Sequence, residues 1–406
     1  MRTVLVTGLG GAGRTTVAAA TALAGARQGS RTLLISADAV PGFPPATEPT
    51  RVTGELWSVR IDSGEHFRSE LLSLQDQLSG MLDLLGGNRL DGEELTELPG
   101  STEFALLHSL RRAAHGDWSG AGYDLLVVDL PPLREALALL ALPGQLRRYL
   151  RRLLPQERQA ARALRPMLAQ LAGVPMPAQW LYEAAARRDA ELAGVQALIE
   201  DRATTLRLVA EPGPAAEDAL RTARTGLALH GLRVDALVAN RVLPRHSSDP
   251  WFAGLAAQQD KCLGHWREEW AAGDPPVQVP HLGRDPQGPD DLTALTGADD
   301  VLAVPVDGRD GGRAEDPWWI EEAGAPDGTD SADGILVWCL RLPGAVKKDL
   351  HLVRRGNELL LTVGPFHRIV PLESALRRCT VSGAALTDGV LRVRFTPDPA
   401  LWPRTS

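Results

Sequence analysis

The stretch MRTVLVTGLGGAGRTTVAAATALA, residues 1–24, decides how the chain is read. Residues 3–7 (TVLVT) are a short β-rich run ended by glycines, and Thr15 to Ala26 is alanine-rich and helix-prone. Between them, Gly8, Leu9, Gly10, Gly11, Ala12, Gly13, Arg14, Thr15 and Thr16 fit the phosphate-loop pattern G-x-x-x-x-G-K-[ST] everywhere except Arg14, which stands in the lysine position. Glycines let backbone N–H groups curl around phosphate oxygens. The helix that follows points its positive end at them, and Thr15 is placed to ligate magnesium. The other reading is a glycine-rich strand-to-helix turn that binds nothing.

Working outward, residues 31–36 (RTLLIS) form a second buried strand, giving a strand–loop–helix–strand unit with a short crossover, as in a parallel sheet. Further near-continuous apolar strands are predicted at 123–129, 205–210, 234–240 and 277–281, with helices between them. The expected fold is α/β, a parallel sheet with helices on both faces, over residues 1–304. Two helical insertions interrupt it, at about 65–116 and 134–200, with apolar residues at helical spacing between Arg and Glu. Residues 305–333, rich in Gly, Asp and Pro, read as a linker. From 334 to 400 short alternating strands separated by turn residues predict a small all-β sandwich.

The chain has 406 residues, enough for two or three domains, and a formal net charge of −8. No domain-wide positive field favours nucleic acid as a partner. Lysine occurs only at Lys261, Lys347 and Lys348; arginine supplies the other positive charges. Cys262, Cys339 and Cys379 have no metal-binding spacing, and an odd number argues against a disulfide framework. No apolar run approaches ~20 residues, so no membrane span is expected. A reducing, cytoplasmic location is the expectation.

The form GxGGxGxTT resembles the deviant phosphate loop of the MinD/ArsA class. The segment LLISADAVPGF (33–43) resembles the first switch of the ArsA family. YDLLVVDLPPLREALALLALPGQ, from residue 123, resembles its second switch, and DALVANRVLP (235–244) its adenine-contacting strand end. The segments stand in the family's order over about 300 residues. In the C-terminal module, Ala384 to Val393 resembles the A-x-x-x-N-G-V-L signature of α-crystallin-like small heat-shock domains. The resemblance implies an ATP- and Mg²⁺-dependent P-loop NTPase acting as a homodimer. Asp38 would orient the attacking water, Thr15 and Asp129 would hold magnesium, and Asn240 would contact adenine. The loop residues Gly8, Gly10, Gly11, Ala12, Gly13, Arg14, Thr15 and Thr16 would carry the phosphates. Alternatives stay open for three of these: a helix cap for Asp38, a turn residue for Asp129, an Asx-turn for Asn240.

The departures from the family pattern sit where chemistry is done. Its loop carries two lysines, one for the phosphates and one reaching the partner's nucleotide; here these are Arg14 and Leu9. Arginine is not a conservative replacement in a slot shaped for an ammonium. The switches differ as well: Leu130 and Arg134 replace a Thr and a Gly of the second. The expectation is ATP binding with weakened or absent hydrolysis, in a dimeric chaperone-like or regulatory module. The alternatives are a slow ATPase using Arg14, and a nucleotide-free interaction protein working through its β-module. Arsenite needs clustered thiolates, so it is disfavoured as substrate; no CxxC pair predicts a zinc clamp. A protein client in the second insertion is possible on this pattern, although its apolar stripe more simply packs on the sheet.

Overall fold

The computed structural model describes residues 1–77, 89–154, 178–270, 275–297, 300–306, 312–323 and 335–401. Strand β1 (Arg2–Gly8) is buried at every position and leads through the glycine-rich loop into α1 (Arg14–Arg27). Next come β2 (Thr32–Ser36), β3 (Thr50–Thr53), β4 (Leu56–Arg60), α2 (Ser63–Gln77) and α3 (Ser101–His115). The chain continues through β5 (Leu125–Asp129), α4 (Leu133–Leu153), α5 (Ala178–Glu200), β6 (Thr204–Ala210) and α6 (Pro214–His230). β7 (Val234–Val242), α7 (Pro250–Glu269), β8 (Val277–Pro280) and α8 (Pro289–Thr296) complete the first unit.

These strands form one sheet in the order β3-β4-β2-β5-β1-β6-β7-β8, parallel throughout except for the antiparallel β3–β4 edge. Side chains alternate across it, as the pleat requires. Val4, Val6 and Val127 join α1 and α8 in one core; Leu5, Leu126 and Val128 join the helices of the other face. Burial on both faces is why these strands read as continuous apolar runs. Although β1 and β2 are consecutive in sequence, β5 lies between them. That places the end of β5 beside the loop after β1. β3 and β4 were not expected from the sequence; β3 is a four-residue edge strand whose residues are not buried, so its pattern carries little signal.

Three charges are buried between the sheet's own strands. Arg2 of β1 and Arg207 of β6 converge on Asp235 of β7, at 3.6 and 3.1 Å. Arg207 also reaches Thr21 Oγ1 at 3.1 Å and the Leu302 carbonyl.

The segment expected to be a linker is more than that. Its residues Trp318–Ala323 form β9, which pairs antiparallel with β10 (Ile335–Arg341). The Trp318-Trp319 pair is the reason: aromatic residues favour a pleated, half-buried surface, and Trp318 sits 6.0 Å from Trp338 of the neighbouring strand. β11 (Leu350–Arg355), β12 (Glu358–Val363) and β13 (Phe366–Pro371) make a three-stranded sheet. β14 (Cys379–Thr387) and β15 (Val390–Pro397) complete a four-stranded sheet in the order β14-β15-β10-β9. Inward residues of both sheets, among them Leu361, Val370, Trp338 and Phe395, share one apolar cluster, the two-layer arrangement of a sandwich.

The β-module docks on α6. A Cβ on Gly226 would lie 2.7 Å from the Phe366 ring, so glycine is what lets the sheet approach. Thr225 Oγ1 donates to the Pro343 carbonyl at 2.6 Å, Arg368 to the Leu229 carbonyl, and Arg148 grips Glu358 through two nitrogens at 2.8 and 2.7 Å. In the second insertion, residues 155–177, with Met167 and Met176, lie outside the described residues.

Candidate nucleotide site

The loop sits at the carboxyl end of β1, where strand neighbours diverge on either side; open α/β sheets bind their ligands in such crevices. Gly11 and Gly13 have φ values of +77° and +84°, the left-handed region that glycine enters without cost. A Cβ on Gly8 would fall 1.9 Å from the Val209 carbonyl oxygen, so the loop leaves β1 pressed against β6. Gly13 is the N-cap of α1, and no side chain caps that end. The first N–H groups of the helix therefore point into the loop, the arrangement that receives phosphate.

Two residues from the end of β7 brace the loop from behind. Asn240 is buried and donates from Nδ2 to the Ala12 carbonyl at 2.8 Å. Arg241 donates to the Gly11 carbonyl at 3.0 Å from a backbone at φ +57°. Asn240, expected at the adenine edge, thus has its amide nitrogen committed to the loop itself. Arg241 escaped the sequence reading, although it follows Asn240 directly; a non-glycine residue in the left-handed region is visible only in three dimensions.

Asp129 closes β5 and points under the loop. Its Oδ2 lies 2.7 Å from Thr15 Oγ1 and 2.9 Å from Ser36 Oγ. Its Oδ1 is buried with no hydrogen-bond partner. Burial pushes the Asp129 carboxyl up to about 6, against the opposing pull of the Thr15 hydrogen bond and the Arg14 charge. Asp38 is exposed at the rim, 3.3 Å from Thr15 Oγ1. Ser36, also unanticipated, receives the Asp38 backbone N–H at 3.1 Å and donates to Asp129 Oδ2 at 2.9 Å, and so links the two switch segments.

The Arg14 side chain turns toward the two switch segments. Its guanidinium, 15 % exposed, donates to the Leu130 carbonyl and lies 3.8 Å from Asp129 and 4.0 Å from Asp38. Leu9 packs against both apolar cores. Thr16 and Gly10 complete the loop, Gly10 at its exposed crest. A hydroxyl, a buried carboxylate with an unused oxygen, and an exposed second carboxylate form a hard oxygen donor set that fits Mg²⁺.

Sequence comparison agrees with this geometry. Residues 1–298 match the anion-transporting ATPase family ArsA, and residues 333–395 match the HSP20-like domain found in ArsA. The chain belongs to the ArsA family. An uncharacterized protein of Streptomyces coelicolor is 56 % identical over the full length of both chains. Protein Rv2184c of Mycobacterium tuberculosis is 30 % identical, covering 99 % of this chain and 97 % of its own. A protein of Aquifex aeolicus named putative arsenical pump-driving ATPase 1 is 25 % identical over 93 % of this chain and 95 % of its own. This ArsA homologue is thus an α/β P-loop protein carrying a small heat-shock-like β-module. ArsA-family ATPases use ATP and Mg²⁺, and among the described residues no helix is long and apolar enough to cross a membrane. All three cysteines are buried and unpaired, and burial pushes the Cys262 thiol up to about 11, away from the thiolate.

Proposed function

We propose that this ArsA homologue binds ATP with Mg²⁺ but hydrolyses it slowly or not at all, and works as a dimeric, nucleotide-responsive regulatory or chaperone-like module. The placement of Arg14 carries the reading. Its charge is spent on the switch carboxylates and the Leu130 carbonyl rather than left free for a transferring phosphoryl group. Phosphoryl transfer depends on positioned charge, and losing one such group costs on the order of 10²–10³ in rate. Leu9 adds no charge and is held by packing.

In this reading Gly8, Gly10, Gly11, Ala12, Gly13 and Thr16 shape the cradle through their backbone. Thr15 and Asp129 hold the metal, Asp38 orients water, and Asn240 fixes the loop that the adenine approaches. Held by Thr15 and Asp129, a bound magnesium would supply positive charge to neutralise the phosphates. Arsenite is not the expected cargo, since a soft metalloid needs clustered thiolates and these cysteines are buried apart.

The test is nucleotide affinity and turnover of the purified chain beside Leu9→Lys/Arg14→Lys. Measurable ATP-analogue binding with negligible wild-type turnover, and turnover gained by the double variant, is the expected result. No binding at millimolar nucleotide with magnesium sinks the proposal in favour of an interaction protein. Wild-type turnover lost in Asp38→Asn replaces it with a true slow ATPase.

A further inference from the structure

A second cluster of chemistry-bearing side chains lies away from the phosphate loop, in the helical insertions. His66 and Glu70 stand one turn apart on α2, so both project from one face of the helix. His108 comes from α3, and its ring lies 4.6 Å from that of His66, tilted by 45°. One ligating atom from each of the three residues lies within 4.8 Å of the others. We propose that His66, Glu70 and His108 form a binding site for a zinc-type divalent transition metal.

The chemistry of the donors selects the metal. Two imidazole nitrogens and one carboxylate oxygen suit Zn²⁺, Co²⁺ or Ni²⁺ and are a poor set for Mg²⁺ or Ca²⁺. Metal–ligand bonds of about 2.0–2.1 Å in a tetrahedral site put ligand atoms roughly 3.4 Å apart. The three groups therefore close on the ion by side-chain rotation of about an ångström, with both helices in place.

The surroundings shape the site's affinity. Arg188 of α5 donates to Glu70 Oε2 at 2.7 Å and to Glu191 at 3.0 Å. One guanidinium is thus shared by two carboxylates, and Glu70 keeps its second oxygen for an ion. Arg188 fixes the carboxylate's orientation but opposes a second cation, which makes the site moderate in affinity rather than a structural staple. Three protein ligands leave one coordination position open. The cluster borders a cavity of about 530 Å³ with walls that include Phe67, Phe104, Leu107, Leu146 and Leu150. The open position accordingly accepts water or the donor atom of a small ligand with an apolar body.

The experiment is titration of untagged, chelator-treated protein with Co²⁺ in magnesium-free buffer, followed by visible absorption and by displacement with Zn²⁺. One equivalent of cobalt with the intense bands of a tetrahedral N/O site is expected, and Zn²⁺ should abolish it. His108→Ala and the near-isosteric Glu70→Gln should each weaken binding by more than the roughly 10–100-fold typical of losing a hydrogen-bond partner of a ligand, while Arg188→Gln tightens it. Asp129→Asn should keep the signal, which separates this site from the phosphate loop. Absent tetrahedral bands, or cobalt binding unchanged in both His108→Ala and Glu70→Gln, overturns the proposal. Circular dichroism of each variant shows that the helices remain folded.

Discussion

At the scale of single residues, one glycine sets the geometry of the loop. Gly13 sits at φ +84°, and a Cβ there would lie 2.4 Å from Asn240 Nδ2. Gly13→Ala therefore strains the backbone by about 1 kcal/mol and pushes away the amide that holds Ala12. The expected outcome is at least a tenfold loss of ATP-analogue affinity, roughly 1.4 kcal/mol, with an unchanged circular dichroism spectrum. Calorimetric titration checks it; affinity equal to wild type would mean that the brace is unimportant. Gly8, Gly13, Thr15 and Asp129 could be picked out from the sequence as candidates for the site, because they belong to short motifs whose spacing the chemistry dictates. The destination of the Arg14 side chain was not. It depends on β5 lying next to β1, which brings Leu130 within reach of a residue 116 positions earlier.

At the scale of elements, the central strands are less apolar than their pattern suggests. Arg207 in β6 and Asp235 in β7 interrupt the runs that predicted those strands, and they are accommodated by each other and by Arg2. Removing the carboxylate leaves two buried guanidinium groups without their counter-charge. Breaking such a pair from one side typically costs about 3–5 kcal/mol. Asp235→Asn should lower the urea midpoint accordingly, with Glu55→Gln, an exposed residue far from this network, as a control that barely moves. The sequence placed β6 and β7 because buried residues, seven in a row in β6 and four in a row in β7, dominate a single charge in each. It missed β3, a short edge strand with alternating exposed residues that looks like a loop, and β4, an inner strand only five residues long whose apolar run is broken by Ser58.

At the scale of the whole molecule, the β-module is fastened to the nucleotide-binding unit by a close approach rather than by a linker alone. Gly226→Leu inserts a branched side chain where the Phe366 ring lies. Overpacking of this kind costs about 1–3 kcal/mol. The variant should expose the Trp318–Ala323 strand to limited proteolysis while the nucleotide-binding unit stays intact. The same junction responds to acid. Burial, aided by the Arg368 and His367 charges, pushes His230 down to about 4. In the unfolded chain this ring titrates near 6.5. Between those values the unfolded chain holds a proton that the folded one lacks, so stability is complete above about pH 6.5 and is lost as pH falls through the window. From near neutrality to about pH 5 the loss is on the order of 2 kcal/mol. His230→Gln should flatten that part of the profile, measured by urea unfolding at the two pH values.

The sequence by itself determined the class of the chain, the position of the phosphate loop, the order of the switch segments and the presence of a β-rich module at the end. Each rests on local information: a glycine spacing, a run of buried residues, a period of two. The tertiary structure decided which of those parts touch. It put β5 between β1 and β2, drew Arg14 onto the Leu130 carbonyl, turned Asn240 and Arg241 into braces for the loop, recruited Trp318 into a sheet, and brought His66 beside His108 across two helices. The physical reason is that strand order and helix packing are set by burial summed over the whole chain, and pairwise contacts between distant residues follow from that order.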